Sequence, residues 1–147
     1  MVLWCFSALV HATEVEPNDT NASATPAQLG QAVSGLFSVS FPKEGFDRDT
    51  FSFDGVVPGR AFLEVSLAGD SCCDEAFYEL RGPRNEPILS GSLEDNSFLI
   101  DSARIRNGGR YTLAFYGSSS GRYSALLRVA PEANEELEEP NDGFARV

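Results

Sequence analysis

From Gln31 onward, apolar side chains alternate with polar ones instead of recurring at helical spacing. Phe51 and Phe53 alternate within residues 50–54, and Leu63, Val65 and Leu67 within residues 62–67. Tyr111, Leu113 and Phe115 do the same, as do Tyr123, Ala125, Leu127 and Val129. A period of two puts each set on one face of an extended strand, so these side chains form the expected core. Turn chemistry separates the runs: Pro58-Gly59, Gly69-Asp70, Gly82-Pro83, Asn107-Gly108-Gly109 and the glycine-serine stretch 117–121. Short strands punctuated in this way predict an all-β fold, an antiparallel β-sandwich of jelly-roll-like kind in a single domain. One helical candidate exists, the alanine-rich stretch 21–29, and Pro26 confines it to a turn or two.

The two ends carry different patterns. Residues 1–12 are apolar with Val10 and Ala12 in a small-x-small arrangement, which reads as a secretory leader cut before Thr13, although no Lys or Arg precedes the run. A buried first strand is the alternative. The run is far shorter than the about 20 apolar residues of a membrane span. Residues 131–147 open with an acidic, aperiodic stretch that reads as a solvated linker. Within it Glu139-Pro140-Asn141-Asp142 repeats Glu16-Pro17-Asn18-Asp19. The two copies are too far apart for a solenoid repeat and fit the length of a whole domain, so the second copy reads as the start of a possible tandem unit. The expected organisation is leader 1–12, sandwich 13–130 and linker 131–147, and the expected partners are neighbouring domains of a longer polypeptide.

Charge narrows the function. With 22 acids against 11 bases the net charge is -11, and a duplex or an anionic membrane surface repels such a chain. Cleavage after Ala12 also removes Cys5 and the only His and Trp, leaving the adjacent Cys72 and Cys73. Those two are open to a strained vicinal ring, free thiols or a link to another chain. Without histidine no Ser-His-Asp or Cys-His relay and no His-ligated zinc can be assembled, so catalysis would fall to a carboxylate pair that nothing in the sequence singles out.

A surplus of carboxylates attracts cations where several converge. Glu14 and Glu16, two apart in an extended segment, point the same way, and Asn18 and Asp19 follow Pro17 directly. Asp47 and Asp49 stand at the mouth of the strand that carries Phe51 and Phe53. Calcium takes six to eight hard oxygen ligands at about 2.3 to 2.6 Å, which such groups supply if the fold unites them. Turn and helix-cap chemistry for residues 18–20 and a solvated loop around Asp47 remain the alternative.

The order Glu-x-Glu-Pro-Asn-Asp-Thr over residues 14–20, the alanine-rich stretch, Gly35-Leu36, Asp47-x-Asp49-x-Phe51-x-Phe53, Gly109-Arg110-Tyr111 and a final strand with Tyr123 resembles the bacterial pre-peptidase C-terminal domain. That family is related to the collagen-binding domains of clostridial collagenases. The resemblance spans residues 14–129. It implies a secreted, non-catalytic β-sandwich appended to extracellular peptidases, and calcium ligation by Glu14, Glu16, Asn18, Asp19, Asp47 and Asp49. The module is then expected to aid secretion, stability or attachment to insoluble extracellular protein or polysaccharide. A carbohydrate- or matrix-binding sandwich is the second reading, for which Tyr78, Tyr111, Tyr116 and Tyr123 are the available aromatics.

Overall fold

The computed structural model describes residues 11–37, 47–68, 76–93, 98–117 and 121–131. Cys72, Cys73, the leader-like residues 1–10 and the second Glu-Pro-Asn-Asp copy lie outside them. The described chain forms ten strands: β1 (Ala12–Thr13), β2 (Thr25–Ala27), β3 (Ala32–Phe37), β4 (Asp47–Val56), β5 (Gly59–Ala68), β6 (Ala76–Arg81), β7 (Pro87–Leu93), β8 (Phe98–Ile105), β9 (Gly109–Gly117) and β10 (Gly121–Pro131). They build two five-stranded sheets, ordered β1-β3-β10-β5-β8 and β2-β4-β9-β6-β7. No helix among the described residues is long and apolar enough to cross a membrane.

The alternation of the long strands sets which face is buried. Phe51 and Phe53 of β4, Leu63, Val65 and Leu67 of β5, Tyr111, Leu113 and Phe115 of β9, and Tyr123, Ala125 and Leu127 of β10 all point between the sheets and are buried. Val129 packs against this core from its margin. Tyr123 stacks on Phe115 at a centroid distance of 4.4 Å and lies 5.0 Å from Phe37, so aromatic rings fill the end of the sandwich nearest the chain's opening segment. At the far side Tyr78 of β6 crosses the gap and donates a 2.8 Å hydrogen bond to Asp101 Oδ2 of β8. Gly91 of β7 leaves room for it, since a Cβ there would sit 2.6 Å from the Tyr78 oxygen.

The turns fall where glycine and proline punctuate the sequence. Gly82 N–H donates to the Glu86 carbonyl and Asn85 takes a φ of 61°, closing the β6–β7 hairpin after Gly82-Pro83. In the stretch 21–29 the structure departs from the helical expectation: Thr25–Ala27 is a strand, paired in parallel with Phe51–Phe53 of β4. Proline at position 26 both lacks the amide a helix needs and biases Thr25 away from helical dihedrals, and a short edge strand accommodates both constraints. A second short parallel pairing, β1 with β3, joins the opening segment to the other sheet, while the longer ladders are antiparallel. The opening segment therefore runs across the open end of the sandwich, touching both sheets.

Candidate metal centre

β1 delivers Glu14 beside β3. The Glu14 amide donates to the Ser34 carbonyl at 3.1 Å, and Glu14 Oε1 accepts the Leu36 amide at 2.8 Å. Its other oxygen lies over Gly35, where a Cβ would come within 2.6 Å of Oε2 and would overlap the Tyr123 hydroxyl. Glycine at this position therefore lets a carboxylate and a phenol approach one strand at once. From the opposite sheet, Asp49 of β4 shares the inward face with Phe51 and Phe53 and is fully buried. Tyr123 of β10 links the two acids, donating to Asp49 Oδ2 at 2.6 Å with Glu14 Oε2 3.4 Å away.

Burial first, then the charge of Asp49 and the hydrogen bond to it, push the Tyr123 phenol well above the ordinary tyrosine range. It stays protonated and acts as a donor to the carboxylates around it.

Glu16 completes the group. Glu14, Glu16 and Asp49 each offer a carboxylate oxygen, and those oxygens lie within 4.8 Å of one another. Two ligands on opposite sides of one calcium ion are about 4.6 to 5.2 Å apart, so this spread fits a shared hard cation. Beside it, Asn18 is fully buried; its amide N–H donates to Glu16 Oε2 at 3.2 Å, and its Nδ2 reaches Thr25 Oγ1 at 3.5 Å. Thr25 Oγ1 in turn accepts the Val15 amide at 3.0 Å. These contacts leave Asn18 Oδ1 buried with no hydrogen-bond partner, a costly arrangement that a cation would relieve. The donor set consists of oxygen atoms only, as hard cations require, with neither thiolate nor imidazole.

The structure thus brings together Glu14, Glu16, Asn18 and Asp49 of the residues singled out in the sequence. Asp19 is exposed and is not one of the three carboxylates whose oxygens lie within 4.8 Å of one another. Asp47 opens β4, paired with Gly117, and its side chain lies outside the described residues. Tyr123 entered the sequence reading as a core residue and as one of the aromatics available to a sugar, not as a partner of the carboxylates. Its part in the site was detectable from one coincidence: an inward-facing phenol on β10 and an inward-facing carboxylate on β4 need each other once the sheets close.

No protein-family model matches this sequence, and no curated protein matches it. Among solved structures, the pre-peptidase C-terminal domain of a collagenase from Bacillus anthracis superposes with a TM-score of 0.56 at 14% identity, covering 71% of this chain and 94% of that domain. The fold is that of a pre-peptidase C-terminal domain. This bears out, at the level of fold, the resemblance read from the sequence. Weaker likenesses include PliG of Aeromonas hydrophila, a periplasmic inhibitor of g-type lysozyme, with a TM-score of 0.42 at 14% identity over 82% of this chain and 97% of that one. The GH115 glucuronidase BtGH115A gives 0.42 at 16% identity over 68% of this chain and 14% of that one.

Proposed function

We propose that this chain is a non-catalytic, exported accessory module whose opening segment is clamped to the sandwich by calcium. The observation that carries the reading is the convergence of Glu14, Glu16 and Asp49 beside the partnerless Asn18 Oδ1. Glu14, Glu16, Asn18 and Asp49 would hold the ion, and Asp19 and Asp47, close along the chain to Asn18 and Asp49, complete the proposed ligand set. The ion would neutralise mutual repulsion among the carboxylates and tie the opening segment to β4. Extracellular calcium is plentiful enough for a weak site of this kind to fill. The likeness to a collagenase appendage favours a peptidase-associated protein, in which the module would serve secretion, stability or attachment to an insoluble substrate.

The carbohydrate-binding alternative is less well served. Tyr78, Tyr111 and Tyr123 are buried in packing roles, and Tyr116 is stacked on Phe77 at 5.5 Å with the Arg48 guanidinium over its ring.

Thermal unfolding in EDTA and in added calcium tests the central claim. Calcium at a hundred times its dissociation constant is expected to raise stability by about 2.7 kcal/mol, and Asp49→Asn or Glu16→Gln to remove most of that gain. An unchanged midpoint in the parent protein would sink the calcium reading.

A further inference from the structure

Three exposed residues, Arg106, Asn107 and Gly108, join β8 of one sheet to β9 of the other. The carboxamide carbon of an asparagine can close a five-membered ring with the amide nitrogen of the residue that follows it. A Cβ on that following residue crowds the approach, and glycine removes the obstacle while leaving the backbone freest to turn. Asn107 has glycine at that position.

The structure separates Asn107 from the other described asparagines. Asn18 is fully buried with Nδ2 3.5 Å from Thr25 Oγ1, and Asp19 follows it. Asn21 Nδ2 donates to Asn85 Oδ1 at 3.3 Å, which engages both carboxamides, and the residues after them are Ala22 and Glu86. Asn85 is also held through its main chain, its amide donating to the Gly82 carbonyl and its own carbonyl accepting Arg81. The Asn107 carboxamide makes no hydrogen bond among the described residues. Its main-chain carbonyl accepts the hydroxyl of buried Tyr111 at 2.6 Å.

That contact bears on the reaction. The nucleophile is the Gly108 nitrogen after loss of its proton, and peptide resonance shares the resulting charge with the Asn107 carbonyl oxygen. A donor already placed at that oxygen stabilises the charge where it develops. Burial first, then the charge of Glu86, raise the Tyr111 phenol above its ordinary range, so it stays protonated and keeps donating.

We propose that Asn107 is a site of spontaneous deamidation in the folded protein, with the Gly108 nitrogen as nucleophile and the Tyr111 hydroxyl steadying the anion. The Gly108 nitrogen bonds to Asn107 Cγ, the Cγ–Nδ2 bond breaks, and Nδ2 leaves as ammonia with the proton that Gly108 gave up. Water then opens the cyclic imide. Attack at Cγ gives aspartate. Attack at the former main-chain carbonyl gives isoaspartate, in which the chain runs through Cβ and Cγ and the acceptor of the Tyr111 bond becomes a free carboxylate. In either product the new charge stands between Arg106 and Arg110 along the chain, both exposed. The reaction needs neither the opening segment nor an ion, so it is independent of the calcium reading.

The test incubates the full, folded chain at neutral pH in water enriched in heavy oxygen and follows peptide masses, with isoaspartyl methyltransferase and its methyl donor to label isoaspartate. Loss of ammonia with uptake of heavy oxygen is expected at Asn107 ahead of Asn21 and Asn85. Gly108→Ala should slow it several-fold; the added Cβ would lie 3.2 Å from the Val56 carbonyl oxygen, a contact that a small shift relieves. Asn107→Gln, which lengthens an exposed side chain, should leave the position unmodified. Tyr111→Phe should slow the loss as well, whereas a bond that merely restrained the loop would, once removed, speed it. An unchanged amide spectrum outside residues 106–111 shows that each variant is folded. Asn107 that stays intact in the folded parent while the urea-unfolded chain loses it would overturn the proposal, as would equal rates at Asn107 and Asn21. Unchanged or faster loss in Tyr111→Phe would strike out the role given to Tyr111.

Discussion

Tyr123 is the residue on which core and site meet. Its ring stacks on Phe115 and packs at a tilt against Phe37 in the core, and its hydroxyl is a donor to buried Asp49. Tyr123→Phe keeps the ring and removes the donor, and weakening the support of a buried carboxylate costs about 1 to 3 kcal/mol. A cation at the site would compensate Asp49 directly. The loss is therefore expected to be larger in EDTA than in saturating calcium, measured by urea unfolding of both proteins under both conditions; equal losses would mean that no ion reaches Asp49. Much of this site was legible at the residue scale. The spacing of Glu14, Glu16 and Asn18 and the position of Asp49 relative to Phe51 name four of the groups that converge. Gly35 matters for what it lacks, so its role appears only once Tyr123 and Glu14 are seen to occupy the space above it.

Among the strands, legibility followed length and period. β4, β5, β9 and β10 have inward faces of large apolar residues at every second position, and the structure buries those faces. β7, with Ser90, Gly91 and Ser92 in its middle, carries almost no β-propensity of its own and is held by pairing with β6 and by the space Gly91 leaves for Tyr78. β1 and β2 are too short to show any period, and the parallel pairing of β2 with β4 replaced the turn of helix expected there. The contact of Tyr78 with Asp101 ties the β6–β7 hairpin to the opposite sheet, and its pH dependence has a definite sign. Burial, then the hydrogen bond and charge of Asp101, raise the Tyr78 phenol above the usual range in the folded state. An unfolded tyrosine titrates near about 10, so the contribution is complete below that pH. Above it the unfolded chain releases a proton that the folded chain keeps, and stability falls as pH rises. Tyr78→Phe is expected to be less stable by about 1 kcal/mol at neutral pH and to show a flatter decline between pH 10 and 11, as read from urea midpoints. Parallel declines in the two proteins would remove Tyr78 from the alkaline limb.

For the molecule as a whole, the order of assembly follows from where its ladders lie in sequence. β10 pairs with β3 and β5, and β4 pairs with β9, so each central ladder joins distant parts of the chain. Such topologies fold in about milliseconds to seconds, because loop closure precedes the contacts that reward it. The opening segment is attached to this frame by the short parallel pairings of β1 and β2, by Glu14 through Leu36 and Tyr123 of the β3–β10 ladder, which joins distant parts of the chain, and by Asn18 through Thr25 of β2. It should therefore dock after the folding transition state. An interaction absent from that state changes the unfolding rate and leaves the folding rate alone. If calcium joins Glu14 and Glu16 to Asp49, about 2.7 kcal/mol of linkage at a hundredfold excess over the dissociation constant corresponds to unfolding slowed about 100-fold. Refolding in stopped flow would be unaffected by the ion. Calcium that instead accelerated refolding by a comparable factor would show that the opening segment and β4 meet early, and would make the site part of the folding nucleus.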